Sequence, residues 1–195
     1  MARISLIEKE QLPPAFAALA EKAEKEPPFL KASFFQILGH CPEMFEQYLP
    51  FYETWHNGGK VAPIIKEVAR LKIAQLNNCA ICKGARFAVA QHAGLTEEKI
   101  AEIENYEFSN SFTLQEKMAL RFAEKLALNH HSIDDDFMKA MREQFTDPQI
   151  VELGMMIAQY LGFGRVLAVL DPEPSVCCLK WVLTPFLAKL GTFSK

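Results

Sequence analysis

The sequence lacks any uninterrupted apolar run approaching the roughly 18 residues that a membrane span needs, and no basic stripe interrupts its mixed charges. A formal net charge of −3 argues against nucleic acid as a partner. The opening stretch, Met1 to Gln11, carries Arg3, Glu8, Lys9 and Glu10 in place of the apolar core of a signal peptide. Strand signals are scarce. So is tryptophan: two Trp stand against fifteen Phe and seven Met, which predicts an interior packed mostly by Phe, Leu, Ile and Met. The five cysteines are an odd number without disulfide-scaffold spacing, in a chain too long to need staples. Together these features predict a reducing, cytoplasmic setting, in which a CxxC is catalytic or metal-binding rather than structural.

Half of the 195 residues are hydrophobic and 23% are charged, the balance of a globular chain, and the length suits one domain over residues 1–195. Helix signals follow one another along it. Pro13-Pro14 opens a helix to about Lys25, which Pro27-Pro28 ends, and Phe29 to Leu38 is a short apolar helix stopped by Gly39. Pro42 starts another through the aromatics Phe45, Tyr48, Phe51, Tyr52 and Trp55, until Asn57-Gly58-Gly59. Val61, Ile64, Ile65, Val68 and Leu71 have the spacing of one buried face and predict a helix over 62–76.

Asn77-Asn78 interrupts that helix and supplies an N-cap for a new one from Cys79 to His92, which Gly94 ends. Thr96 caps a helix to about Asn105, and Thr113-x-x-Glu116 is a capping box for a long helix to Leu128. Helices over 134–144 and 148–170 follow. Asp171-Pro172-Glu173-Pro174 then breaks the chain before a last apolar helix, Val176 to Leu190. The fold class is all-α.

Asn78-Cys79-Ala80-Ile81-Cys82 is the strongest chemical signal. Two thiols three residues apart on a helix can close a small disulfide, and the free N–H groups and dipole of a helix start favour a thiolate. The alternatives are half of a zinc site or two buried cysteines. Zinc wants four ligands, and neither a second CxxC nor a His pair at finger spacing is present, so no metal or cofactor is expected. Glu67, twelve residues before Cys79, lies at the edge of the Ile64–Val68–Leu71 face. Partial burial there would raise its pKa toward a value suited to proton transfer; the plainer reading is a solvated partner for Arg70. Arg86, four residues after Cys82, would share its helix face and stabilise a thiolate without being able to take up a proton. His130-His131, His40 and His56 read as exposed residues near helix ends, Cys177-Cys178 as core, and Cys41 as uninformative.

The run Glu67-(eleven residues)-Cys79-x-x-Cys82 resembles the proton-relay motif of alkylhydroperoxidase D-like proteins, a branch of the carboxymuconolactone decarboxylase family. In those proteins a Glu, two cysteines and a His four residues after the second cysteine act together. Gly94-Leu95-Thr96-Glu97-Glu98, Leu114-x-Glu116, Ile150-Val151-Glu152 and Arg165 extend the likeness over residues 58–171. The resemblance implies an all-helical bundle, assembly into trimers or hexamers, and reduction of hydroperoxides by the dithiol. It also implies resetting by an external dithiol reductant, a lipoyl-bearing protein in some relatives. The implied site is Cys82 as attacking thiolate and Cys79 as its resolving partner, with Glu67 in the relay; the nearness of Arg86 in sequence favours Cys82 as well, whereas the helix dipole alone would favour Cys79. The chain departs from the pattern where the expected His is Arg86 and where Ile81 replaces a second His; His92 stands too far on to substitute. Two other function classes fit the family: a lactone decarboxylase, whose members typically lack the CxxC, and a non-catalytic oligomeric redox sensor.

Overall fold

A computed structural model describes residues 2–25 and 32–170. The helix predicted over 176–190, with Cys177 and Cys178, and residues 29–31 of the second predicted helix lie outside the described residues. Among the described residues every regular element is helical, as the sequence predicts. The α-helices are α1 (Pro14–Lys25), α2 (Ala32–Leu38), α3 (Pro42–Asn57), α4 (Pro63–Leu76), α5 (Ala80–Gly84), α6 (Ala88–His92), α7 (Glu97–Ala101), α8 (Leu114–Leu128), α9 (Asp135–Gln144) and α10 (Asp147–Leu170).

The centre is α4, which is buried without a break from Ile65 to Ala74. One side of it joins α8, α9 and α10 in a core that includes Ile65, Ala69, Phe122, Leu153 and Ile157. The opposite side, at Val68 and Leu71, packs on α6, α7 and the turn through Tyr106. A third cluster, from α1, α2 and the end of α10, closes over Cys79 and Ile81. Because α4 is covered all round, its charged residues Lys66, Glu67, Arg70 and Lys72 are buried with it, and each must find a partner inside the protein.

Helix boundaries set by local signals come out where the sequence puts them. Thr113 and Glu116 form the capping box of α8, Thr96 caps α7, and Asp134 caps α9. The helix expected to run from Thr96 to about Asn105 instead stops at Ala101, and a single 3-10 turn spans Ile103–Asn105. There the bonds tighten to i→i−3, with Asn105 N–H donating to the Glu102 carbonyl at 3.0 Å.

Around the cysteines the structure corrects the sequence reading twice. Asn78 is not an N-cap. It has φ +48° and follows α4 as the left-handed residue of a Schellman turn: Cys79 N–H donates to the Ala74 carbonyl at 3.1 Å and Asn78 N–H to Gln75 at 3.0 Å. Cys79 itself caps α5, its sulfur accepting from Cys82 N–H.

Nor does one helix run from Cys79 to His92. It breaks between Gly84 and Ala88, because side chains take the carbonyls that would continue it. Arg70 donates to the carbonyls of Cys82 (2.6 Å) and Ala85 (3.0 Å), and Arg86 to those of Lys83 (2.6 Å) and Ala85 (2.8 Å). Arg86 therefore lies in the break, not on a helix face shared with Cys82.

The 24-residue α10 is long and apolar enough, by length and composition, to cross a membrane. Here one side of it packs on α4 and α8, and the other leaves Val151, Met155, Val166 and Val169 exposed.

Candidate functional site

Cys79 and Cys82 are joined as a disulfide. Their surroundings differ. Cys79 is fully buried in the apolar cluster, whereas Cys82 faces a cavity of about 450 Å³. The cavity walls are mainly apolar and ring-bearing, with Phe34 and Phe35 from α2, Tyr52 from α3, Phe87 from the break, and Tyr160 and Phe163 from α10. The aromatic run predicted on α3 splits accordingly: Phe45, Tyr48 and Tyr52 meet Phe163, while Phe51 and Trp55 point outward.

Behind this wall sits a buried polar cluster. Arg70 grips Glu67 with both arms, Nε to Oε2 at 2.6 Å and Nη2 to Oε1 at 2.7 Å. With its bonds to Cys82 and Ala85, four of the five guanidinium N–H groups are committed among the described residues, leaving one on Nη1. Arg70 lines the cavity together with Cys82. Glu67 is wholly buried beneath it.

The expected raised pKa of Glu67 is reversed. Burial pushes it up, but the charge and hydrogen bonds of Arg70, helped by His56, outweigh burial and hold the carboxyl below its ordinary value. Glu67 is thus a buried partner of Arg70 rather than a solvated one, with its carboxyl held below the ordinary range. Arg70 stays charged, since the pull of Glu67 exceeds its own desolvation.

His56, read from the sequence as exposed, is fully buried at the centre of this cluster. Nε2 lies 3.2 Å from Glu67 Oε2 but is poorly aligned for a hydrogen bond, and Nδ1 lies 2.8 Å from the Tyr160 hydroxyl. Burial pushes the imidazole pKa down, more than Glu67 pulls it up, so His56 is neutral near pH 7. A carboxylate only accepts, so the ring proton belongs on Nε2 and Nδ1 accepts from Tyr160. The ring lies against Phe87, with centroids 4.0 Å apart, and stacks on Tyr52. The sequence did carry a signal: Tyr48, Tyr52 and His56 recur every four residues on the inward stripe of α3.

Arg86 also borders the cavity, with its charge clamped by Glu97 through bonds of 2.7 and 2.9 Å. His40 bonds the Ser5 carbonyl at 2.8 Å, and His130 and His131 are exposed against each other. Cys41 is an exposed free thiol. No group of three or more His, Cys, Asp or Glu suited to a metal ion occurs among the described residues.

The model of the carboxymuconolactone decarboxylase family matches residues 42–125 of the chain. The chain is similar to an uncharacterized protein of Mycobacterium tuberculosis (strain CDC 1551 / Oshkosh), with 34% identity over 91 residues; these cover 47% of this chain but 32% of that one, about a third of its length. Among solved structures it is similar to a peroxidase-related protein with an alkylhydroperoxidase AhpD core from Ralstonia eutropha JMP134. The TM-score is 0.74 at 19% identity, over 89% of this chain and 92% of that one. A cysteine variant of the debrominase Bmp8, solved with 2,3,4-tribromopyrrole, gives a TM-score of 0.73 at 14% identity, over 93% of this chain and all of that one. At these identities the structures speak for the fold.

Proposed function

We propose that the protein is a dithiol oxidoreductase that reduces hydroperoxides through Cys79 and Cys82. The observation that carries this reading is the asymmetry of the pair: one sulfur is sealed in the core and the other borders a cavity. In the proposed cycle the Cys82 thiolate attacks the terminal oxygen of the hydroperoxide. The O–O bond breaks, the alkoxide leaves and takes a proton from water to become the alcohol, and Cys82 becomes a sulfenic acid. The Cys79 thiol then displaces water from that sulfur to close the disulfide, and an external dithiol such as a lipoyl-bearing protein reduces it while becoming a disulfide itself.

Arg70 supports the cycle as the fixed cation beside Cys82, its remaining N–H being available to the thiolate or the departing oxygen. The role the spacing gave to Arg86 is thereby shared or superseded. Glu67 and His56 act as positioning residues, holding the Arg70 fork in place. The Bmp8 neighbour, solved with a brominated pyrrole, favours substrates larger than hydrogen peroxide. A reducing, cytoplasmic setting suits a cycle that depends on an outside dithiol.

The test is an anaerobic thiol count before and after one equivalent of hydroperoxide, with coupled turnover by a dithiol. Loss of two thiols, mapped to Cys79 and Cys82, together with catalytic turnover, supports the enzyme. Loss of the same thiols without turnover leaves the redox sensor, and no thiol loss defeats both. We also propose a homotrimer or a dimer of trimers, with the exposed Val151–Met155–Val166–Val169 stripe of α10 as contact surface. Light scattering giving a mass near 22 kDa at micromolar concentration counts against it.

A further inference from the structure

Three glycines, Gly154, Gly162 and Gly164, lie inside α10, where glycine weakens a helix relative to alanine. They are not equivalent. At Gly162 a Cβ would meet open space, so that position accepts a side chain freely. Gly164 is buried and lines the cavity. A Cβ there would stand 3.9 Å from Cys82 Sγ and 3.0 Å from Asn77 Nδ2. Its backbone is ordinary right-handed helix with no positive φ, so conformation does not call for glycine. What the missing methyl leaves is clear space over the cavity-facing sulfur.

That space has a particular character. Its neighbour Phe163 gathers Phe34, Phe45, Tyr48 and Tyr52 around it, with ring centroids 5.2–6.4 Å away, and Phe87 lines the same cavity. Ring faces and edges beside a bare helix backbone suit a flat, apolar guest better than a small polar one.

We infer that Gly164 is a specificity-determining position. It keeps open a slot over Cys82 Sγ through which a ring-bearing, apolar reactant approaches the sulfur, and any side chain there would narrow the slot. The inference rests on Cys82 being the reactive sulfur of the proposed cycle and adds the class of molecule that reaches it. The added methyl of Gly164→Ala is of the size that shifts selectivity in an apolar pocket by about tenfold or more.

The experiment uses the fully reduced chain and two maleimides with the same reactive group, N-ethylmaleimide and N-phenylmaleimide. Rates at Cys82 are read by peptide mapping, with exposed Cys41 in the same molecule as reference. In the wild type, the preference for the phenyl reagent at Cys82 should exceed that at Cys41 by about tenfold. Gly164→Ala should bring that preference to about one while the N-ethylmaleimide rate stays within about twofold, and Gly162→Ala should change neither. If the 3.0 Å approach to Asn77 prevents Gly164→Ala from folding, Asn77→Ala with Gly164→Ala keeps the methyl over the sulfur and removes the crowding. A wild type without phenyl preference, an alanine at 164 that slows both reagents alike, or an equal effect at 162 overturns the inference. The dithiol reading fails separately, if reduced Cys79 and Cys82 do not close again under hydroperoxide.

Discussion

Lys66 and Glu67 are neighbours on α4, both wholly buried, yet their pairings serve different parts of the fold. Lys66 binds Glu152 of α10 at 2.9 Å and also donates to the carbonyls of Trp55 and Gly58. Glu152 in turn accepts from the backbone N–H groups of Lys60 (2.7 Å) and Val61 (3.1 Å). Gly59, with φ +81°, lies so close that any Cβ would overlap the Glu152 carboxylate. This cluster clasps the α3–α4 turn to α10, and its residues stay off the cavity. The Glu67–Arg70 pair bonds to the carbonyls of the cysteine turn, and Arg70 meets the cavity. Buried charge thus closes a loop in one pair and borders the cavity in the other, and what separates the two is where the cation's remaining donors point.

The largest expected effect lies in the clasp. Lys66→Met or Glu152→Leu strands a buried partner and should cost about 3–5 kcal/mol of unfolding free energy, read by urea denaturation. A loss below 1 kcal/mol would erase the distinction from an ordinary surface pair. Next comes Arg70→Lys, which keeps the charge but loses the two-armed grip. We expect hydroperoxide turnover to fall at least about tenfold, equivalent to about 1.4 kcal/mol of barrier, with stability less affected than in the clasp variants. Unchanged turnover would mean that the fork is only structural.

Acid should weaken the site in two stages. His56 has a folded pKa below its unfolded value of 6.5, so the unfolded chain binds the extra proton first. Its contribution is complete above pH 6.5 and is lost as pH falls below it, with a slope of at most about 1.4 kcal/mol per pH unit. Glu67, also depressed, contributes fully above 4.5 and loses that contribution as pH falls further toward its folded value. Urea midpoints from pH 8 to pH 4 for the wild type and His56→Gln check this: the first stage should vanish in the variant. The smallest effect is at Arg86, whose charge Glu97 already neutralises in part. Arg86→Ala should raise the Cys82 thiol pKa by less than about one unit, against about one or more for Arg70→Ala. Thiolate absorbance against pH decides, and the reverse order would return the cation's role to Arg86.

What the sequence revealed and what it hid divides along range. The caps at Thr96 and Thr113 were legible because their partners lie within four residues, whereas Asn78, expected as a cap, closes the preceding helix instead. The cysteine pair was legible for the same reason. His56 was not, since Glu67 and Tyr160 meet it from eleven and 104 residues away. The break at Ala85–Phe87 was equally hidden, because its apolar spacing reads as continuous helix and one guanidinium that ends it comes from another helix. For Glu67, the partner was visible three residues on; the sign of the pKa change depended on Arg70 being buried with it, which only the packing of α4 on all sides determines.

The cap of α5 bears on how the pair changes state. Cys79 Sγ receives the Cys82 amide proton at 3.2 Å, in the position where a serine or aspartate oxygen would sit. A sulfur freed by reduction gains electron density and remains an acceptor for that amide, while the Schellman turn behind it is fixed by backbone bonds to Ala74 and Gln75. In the proposed cycle, then, the backbone bonds that fix residues 74–82 involve neither sulfur, and the change of state falls on the two cysteine side chains and the one amide between them.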